Sequence, residues 1–424
     1  MRILVVGSGG REHALAWKLA QEAEVICAPG NPGIAQDVEC VPVRQDDFGG
    51  LVELASRRNV DLVVVGPEDP LIDGLANVLR DAGFAVFGPG KAAAALEGSK
   101  AFSKELMFHA NIPTAEFLTF HEPNDAKTYA RSRYADGRRV VVKASGPALG
   151  KGVIVCETEQ EAEDAIDQMM VQRAFGESGA VVVIEDQLTG PEFSLLTIVS
   201  DDHFVSLPAA QDHKRALDGD QGLNTGGMGT YSPVTWVTND LVAEVEQRMV
   251  APILASLKER GILFRGVLFT GLMMEGGRPY CLEYNVRFGD PEIQSLVMRL
   301  RQGLADTLLE AALGHPVALP EVLPNSAVTV IVASGGYPEK YEKGLPIEFS
   351  PAPMGVKIFH AATAMKDGKF VTNGGRVLCV SAAAPRLDDA RRLAYMGAES
   401  IKFPGAHYRR DIAVPGAVEL RHSR

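Results

Sequence analysis

The sequence predicts a multidomain protein of mixed α/β and α+β type. A parallel α/β sheet is expected at the N-terminus, a mixed region in the middle and a β-rich region at the C-terminus. Three observations carry this. Residues 1 to about 100 alternate short apolar strands with helices, the pattern of a parallel sheet wrapped by helices. From about residue 101 the alternation stops, and strands dominate from Glu192 to Pro208. The length, 424 residues, exceeds what one core supports, so roughly two to four domains are expected.

Taken in order, Ile3–Val6 reads as a strand, Gly7-Ser8-Gly9-Gly10 as a loop and Arg11–Gln21 as a helix whose apolar residues include Ala14, Leu15, Trp17 and Leu19. Val25–Ala28, Leu62–Val65 and Ala85–Phe87 are further strands, with helices at Leu51–Arg58 and Leu75–Ala82. Three strands end in Gly/Pro loops, 7–10, 29–33 and 66–70, and ligands of such sheets sit at the carboxyl ends of strands. The helix Ala101–Ala110 leads to strands near Val140–Lys143, Val153–Cys156 and Val181–Glu185, with a helix at Glu159–Gln172. Gln211 to Pro233 reads as a loop rich in Gly and Asp, and Leu241–Arg260 as an amphipathic helix. Gly266–Met274 and Pro279–Val286 flank the hairpin turn Glu275-Gly276-Gly277-Arg278, and Ile293–Leu313 is helical. A boundary is expected near 325. Beyond it lie strands at Ala327–Ala333, Val356–Ala361 and Arg376–Ser381, and a helix at Leu387–Ile401.

Composition is that of a folded protein, 46% hydrophobic and 23% charged. The net charge of −12 and the lack of a basic block argue against nucleic-acid binding, so an anionic substrate would need local Lys and Arg. Five widely spaced cysteines without a C-x-x-C fit reduced thiols, not a disulfide frame or zinc site. The chain enters a strand at once and has no apolar run of membrane-spanning length. A cytoplasmic protein that engages no membrane is expected.

The richest stretch is Leu282-Glu283-Tyr284-Asn285-Val286-Arg287-Phe288-Gly289-Asp290-Pro291-Glu292. It follows an apolar run and so ends a strand. Period-two alternation puts Glu283, Asn285 and Arg287 on one face and Leu282, Tyr284, Val286 and Phe288 on the other. A carboxylate and an amide oxygen suit Mg²⁺, and a guanidinium suits phosphate. A solvated strand face is the plain alternative. Two more carboxylates in the following turn, Asp290 and Glu292, favour a site.

Other loops have the makings of anion sites. Gly7-Ser8-Gly9-Gly10-Arg11-Glu12 joins a strand to a helix, where free amides bind anions. It lacks the third glycine of a dinucleotide fingerprint, and no acidic residue ends the next strand, so an anion cradle is expected and an NAD site is not. A turn kept glycine-rich only for close packing is the alternative. Ala144-Ser145-Gly146-Pro147-Ala148-Leu149-Gly150-Lys151-Gly152 imitates a Walker loop but is one residue short and lies between two strands. It reads as a mobile flap closing over phosphates through its amides and Lys151, with Lys143 as a second cation. The strand end Glu185-Asp186-Gln187-Leu188 and nearby Glu192 form a hinge whose backbone groups suit an adenine edge; an ordinary acidic hinge is the alternative. The polar run 212–229 suggests a functional loop, without a persuasive Ser-His-Asp or Cys-His arrangement.

In this order, these pieces resemble the ATP-grasp superfamily. From end to end the chain resembles the phosphoribosylamine–glycine ligase family of purine biosynthesis. The resemblance runs through Gly7-Ser8-Gly9-Gly10-Arg11-Glu12-His13-Ala14, Pro29-Gly30-Asn31, Gly66-Pro67-Glu68, His213-Lys214-Arg215 and Asn224-Thr225-Gly226-Gly227-Met228-Gly229. It continues through Arg287-Phe288-Gly289-Asp290-Pro291-Glu292, Ala333-Ser334-Gly335-Gly336-Tyr337-Pro338 and Gly374-Gly375-Arg376-Val377-Leu378.

The resemblance implies a substrate-binding domain over 1–101, an ATP-grasp domain over 102–325 with a mobile subdomain at about 118–190, and a C-terminal domain over 326–424. It implies ATP as co-substrate, Mg²⁺ or Mn²⁺, and formation of glycinamide ribonucleotide from glycine and 5-phosphoribosylamine through glycyl phosphate. Such chemistry needs positioning and charge neutralisation, not a protein nucleophile. Glu283 and Asn285 would hold the metal, and Arg287 would steady the phosphate or carboxylate. Lys104, Lys143, Ser145, Gly150, Lys151 and Gly152 would meet ATP phosphates. Glu185, Asp186 and Leu188 would line adenine, and Glu192 the ribose. Gly9, Gly10, Arg11, Asn31, Pro67 and Glu68 would face phosphoribosylamine. His213, Lys214, Asn224 and Gly226 would form a second substrate wall, with Asp212 and Asp290 at the glycine amine. A monomer acting on small molecules is expected. Departures from the family pattern are Gly271, where many ATP-grasp enzymes carry a second metal carboxylate, and Pro147 in the flap, which removes an amide donor. Leu223 stands where proline is usual and Ile293 where threonine is usual. A different ATP-grasp ligase, an NAD-dependent oxidoreductase on the N-terminal sheet and a nucleotide-binding module without turnover are the competing functions.

Overall fold

The computed structural model describes residues 1–148 and 152–414. Gly150 and Lys151 of the expected flap lie outside the described residues.

The N-terminal sheet is parallel throughout. Its spatial order is Glu39–Cys40, Glu24–Pro29, Arg2–Gly7, Leu62–Val65, Ala85–Phe87. Arg2–Gly7 is central and buried on both faces. Ile3 and Val5 enter one apolar cluster and Leu4 and Val6 another, which explains its unbroken run of aliphatic residues. The chain leaves this strand in one direction to Glu24–Pro29 and in the other to Leu62–Val65. That reversal puts the ends of the three strands, and so the loops at 7–10, 29–33 and 66–68, on one rim. The two-residue edge strand Glu39–Cys40 has no periodicity and was not expected.

Two antiparallel sheets follow. The first orders Phe117–Phe120, Val182–Asp186, Val140–Ala144 and Val153–Cys156. The helices Pro123–Ala135 and Glu159–Ile166 bury Ala126, Ala130, Ala162 and Ile166 in a separate small core with its strands. The second orders His203–Ser206, Glu192–Ser200, Arg265–Glu275 and Arg278–Asn285. The sheets approach each other where Lys143 Nζ lies 3.4 Å from the Leu282 carbonyl oxygen.

The stretch from Gln211 to Pro233 differs from its expectation as a loop. Arg215–Leu217 and Gln221–Asn224 form a hairpin. Gln211–Asp212 and Gly229–Ser232 are strands of a five-stranded sheet that continues through Ser326–Ala333, Arg376–Ala384 and Val356–His360. The boundary near 325 therefore does not separate two sheets. Short, Gly-rich strands give no period-two signal; pairing with Ser326–Ala333 makes them strands.

The expected helix Ile293–Leu313 is also interrupted. Glu292–Leu296 passes into the 3₁₀ turn Val297–Arg299, and Leu304–Leu313 begins anew after Gly303 at φ +91°. The Arg301 N–H is donated to the Glu321 carbonyl, out of the helical path.

The C-terminal sheet fastens to the N-terminal unit through buried His13. The His360 N–H donates to His13 Nδ1 at 2.7 Å, which leaves the proton on Nε2, 2.8 Å from Asp37 Oδ2. Lys357 also reaches that oxygen, at 2.6 Å. Burial holds two other imidazoles neutral, His360 lowered to about 3 and His213 to about 4. An unfolded histidine titrates near pH ~6.5. As pH falls through that value the unfolded chain takes up protons that the folded chain refuses, so stability drops. The expected outcome is a melting temperature several degrees lower at pH 5 than at pH 7.5, with only part of the loss absent in His360→Asn protein because His213 contributes a similar share. A flat profile across that window would contradict the neutral buried imidazoles.

Candidate active site

The strand Arg278–Asn285 pairs with Arg265–Glu275, with Asn285 opposite Phe269 and Glu283 opposite Gly271. Leu272 pairs with Cys281, so Leu282 is an extra residue in the ladder, a bulge. Tyr284, Val286 and Phe288 are buried, while Glu283, Asn285 and Arg287 remain partly accessible. The alternation expected from sequence holds from 283 to 288. Leu282 departs from it, being only partly buried at the bulge.

Burial alone would raise the Glu283 carboxyl, but Lys214, Lys143, Lys100 and Arg287 hold it at about 2. The Asn285 amide lies 3.4 Å from Glu283 Oε1. Its nitrogen is drawn toward the carboxylate, and a half-turn of the amide brings its oxygen there. Two hard oxygens side by side fit a divalent cation that completes its shell with phosphate oxygens and water. Among the described residues no group of three or more His, Cys, Asp or Glu converges to hold a metal by itself. A Cβ on Gly271 would stand 3.2 Å from Glu283 Cγ, so a carboxylate at 271 would share the Glu283 face.

Beneath this face lies a buried triad. Glu185 stands between Lys104 (3.1 Å) and Lys143 (2.8 Å). Burial opposes its ionisation, and the two lysines outweigh burial and hold its carboxyl below the ordinary value. The same burial lowers Lys104 against the pull of Glu185. Lys214 reaches Glu192 (3.6 Å) and Glu283 (4.0 Å) from the opposite wall.

Asp212 and Glu292 form a second acidic group. Burial and then the neighbouring Glu292 push the Asp212 carboxyl well above its usual range, against Lys214 and Arg376. Burial also raises Glu292, which accepts from Ser194 Oγ at 3.1 Å. Arg376 bonds both the carboxylate and the carbonyl of Asp290 (2.9 and 2.8 Å) and donates to the Gly226 carbonyl.

Arg287 is shared. Its Nη2 is 3.0 Å from Glu97 Oε1, and its Nε is 3.3 Å from Glu68 Oε2. Arg11 reaches the same Glu68 oxygen at 3.5 Å. Burial would raise Glu68, yet Arg287 and Arg11 bring it to about 2; burial raises Glu97 to about 7 despite Arg287.

Several expected ligand contacts are occupied by the protein itself. The Gly9 N–H donates to Glu12 Oε2 at 2.6 Å, closing a capping box, so that amide is not free for an anion. Gly10 packs so closely that a Cβ would meet Cys379 Sγ at 2.7 Å. The Asn31 amide ties Ser8, His360, Gly33 and Ile34 together. Ser145 Oγ accepts from the Ala101 N–H at the start of the helix Lys100–His109. The Asp186 carboxylate is taken by Arg133 and Arg138, and its N–H is donated to the Glu116 carbonyl at 2.8 Å. His213 Nδ1 faces the Gly229 carbonyl at 3.2 Å. Pro67 caps the helix Glu68–Asp73, and Asn224 ends the second hairpin strand. Leu188 follows the strand Val182–Asp186 by two residues and Gly152 immediately precedes Val153–Cys156. Gly9, Gly10, Asn31, Asp290, Tyr337 and Arg376 line a cleft of about 550 Å³ between the N-terminal rim and the C-terminal sheet.

Sequence reasoning assigned no site role to Glu97, Lys100 or Arg376. Glu97 and Lys100 flank Ser99, the cap between the helices Lys91–Gly98 and Lys100–His109. Charged residues crowding a helix junction were the available signal.

Two antiparallel sheets that meet at Lys143, with a buried lysine–carboxylate triad beside a Glu-x-Asn-x-Arg strand end, fit an ATP-grasp enzyme. Family profiles of phosphoribosylglycinamide synthetase match its N domain at 1–97, its ATP-grasp (A) domain at 98–293 and its C domain at 327–415. The chain belongs to this family. It is 45% identical over 422 residues to the phosphoribosylamine–glycine ligase of Rhodopirellula baltica, covering 97% of each chain, and 44% identical over 424 residues to that of Haemophilus influenzae, again covering 97% of each. The crystal structure of the Thermotoga maritima phosphoribosylamine–glycine ligase superposes with a TM-score of 0.85 at 36% identity, over 97% of this chain and 100% of that one. A biotin carboxylase from Campylobacter jejuni shares the fold, at TM-score 0.73 and 14% identity over 99% and 96% of the two chains.

The buried triad generates a prediction. Glu185→Ala leaves two buried ammonium groups without their counter-charge and should lower stability by about 3–5 kcal/mol, read by urea unfolding. Wild-type stability in that variant would refute the triad.

Proposed function

We propose that the protein ligates glycine to 5-phosphoribosylamine through a glycyl phosphate intermediate, yielding glycinamide ribonucleotide, ADP and phosphate. Family membership makes it an ATP-dependent carboxylate–amine ligase of purine biosynthesis. Supporting the intermediate and the residue roles is one observation above others: Glu283 shares a face with Asn285, has Lys214 at 4.0 Å, and is held low by the charges of Lys214, Lys143, Lys100 and Arg287 against burial. That is a place for phosphate charge and a metal together.

In the first step a glycine carboxylate oxygen attacks the γ-phosphorus and ADP leaves. The ribosylamine nitrogen then attacks the acyl carbon, phosphate leaves, and the nitrogen gives up a proton. A bound Mg²⁺ or Mn²⁺ neutralises phosphate charge in this chemistry, and Glu283 and Asn285 would hold it. Arg287 steadies the transferring phosphoryl group or the glycine carboxylate, and Lys104 and Lys143 bind the nucleotide phosphates. Asp212 and Asp290 receive the glycine ammonium. The strain of a buried, charge-crowded Asp212 supports that role, since a cation relieves it.

The three-part division at 1–101, 102–325 and 326–424 belongs to the same proposal, with 118–190 moving to close the nucleotide in. The separate small core of that segment supports independent motion. A cytoplasmic setting and small-molecule substrates agree with five free thiols and a net charge of −12.

ADP release in a coupled assay should require glycine and phosphoribosylamine together. Glu283→Ala and Asn285→Ala should each lower kcat by roughly 100-fold or more. ADP formation independent of glycine would defeat the reaction, and full activity in both variants would defeat the metal assignment.

A further inference from the structure

We infer that Glu97 is the positioning residue for Arg287, holding its guanidinium and the strand end beneath it in the orientation that phosphoryl transfer requires. This rests on the ligase function proposed above.

The last ladder pair of the strand Arg278–Asn285 is Asn285 with Phe269. Beyond it, Val286 has lost its sheet partner. Its N–H is instead donated to Glu97 Oε2 at 2.7 Å. The other oxygen of the same carboxylate lies 3.0 Å from Arg287 Nη2. One side chain therefore fixes the backbone at 286 and the charged tip at 287, in the segment between Asn285 and the Gly289–Glu292 turn. Glu97 comes from a different element, the helix Lys91–Gly98 of the N-terminal unit.

Arg287 has a second carboxylate, Glu68, and the two are not equivalent. The Glu97 side chain is 10% exposed, and both of its oxygens are engaged within this segment. The Glu68 side chain is 28% exposed, longer in its contact at 3.3 Å, and divided between Arg287 and Arg11. An incoming phosphate or carboxylate displaces the accessible, shared partner. The enclosed one stays and sets the direction in which the guanidinium faces. A fork of fixed donors depends on such a backing carboxylate, because two attachment points remove the rotation that a single one leaves.

The test is a kinetic cycle. Glu97→Gln keeps an acceptor for the Val286 N–H and replaces the oxygen that faces Arg287 Nη2 with an amide N–H. Relative to wild type, kcat should fall roughly tenfold or more, with the KM for ATP within about twofold. In an Arg287→Lys background, which has already lost the fork, the same change should have little further effect on kcat. Wild-type kcat in Glu97→Gln, or an equal loss in both backgrounds, would overturn the inference. If Glu97→Gln does not fold, Glu97→Asp, which withdraws both oxygens by one methylene, is expected to give the same loss of kcat in the wild-type background and none in the other. Failure of the ligase function itself would show separately, as wild-type protein without glycine-dependent ADP release.

Discussion

Arg287 stands between Glu68 and Glu97, and through that guanidinium the N-terminal unit and the strand Arg278–Asn285 share one geometry. Much else follows from the need to pair charges withdrawn from water. An isolated buried charge is penalised by several kcal/mol, so each of these buried cations needs a carboxylate beside it to balance its charge. Glu185 does this for Lys104 and Lys143, and Glu283 and Glu192 do it for Lys214. The partners come from separate stretches of sequence. The ion pairs thereby tie distant parts of the chain together. Under the proposed function, binding would exchange one set of counter-charges for another.

The fold was largely legible where local pattern is strong. The parallel N-terminal sheet follows from unbroken aliphatic runs, and the face bearing Glu283, Asn285 and Arg287 follows from period-two geometry. Legibility failed where long-range pairing decides. The strands at 211–212 and 229–232 carry no periodicity and exist because Ser326–Ala333 lies beside them. Glu97 and Arg376 carried no site role in sequence, Arg376 only as part of a matching motif, and they acquire one through partners that the fold brings from afar. Motif reading also cannot separate two uses of one residue. Asn31 and Ser145 stand in recognisable loops, yet their side chains are spent on holding those loops.

The glycines of the first loop show the same division of labour. Gly66 and Gly7 leave room for the Glu12 side chain; a Cβ on Gly7 would meet Glu12 Cγ at 2.5 Å. Glu12 in turn binds the Gly9 N–H and Arg11, at 2.6 Å each. The absent third glycine of a dinucleotide motif is thus replaced by a carboxylate that uses the space of two other glycines. A pyrophosphate cannot approach an amide already engaged by an anion, which gives a physical reason for the rejection of a dinucleotide site.

The sheet that crosses residue 325 bears on how the chain is made. Gly229–Ser232 is synthesised well before Ser326–Ala333, its partner on the side away from Gln211–Asp212. Until that later strand is made, Gly229–Ser232 carries an unpaired edge. The sheet is therefore completed late in synthesis, and a cut near 325 would leave two of its strands on one side and three on the other.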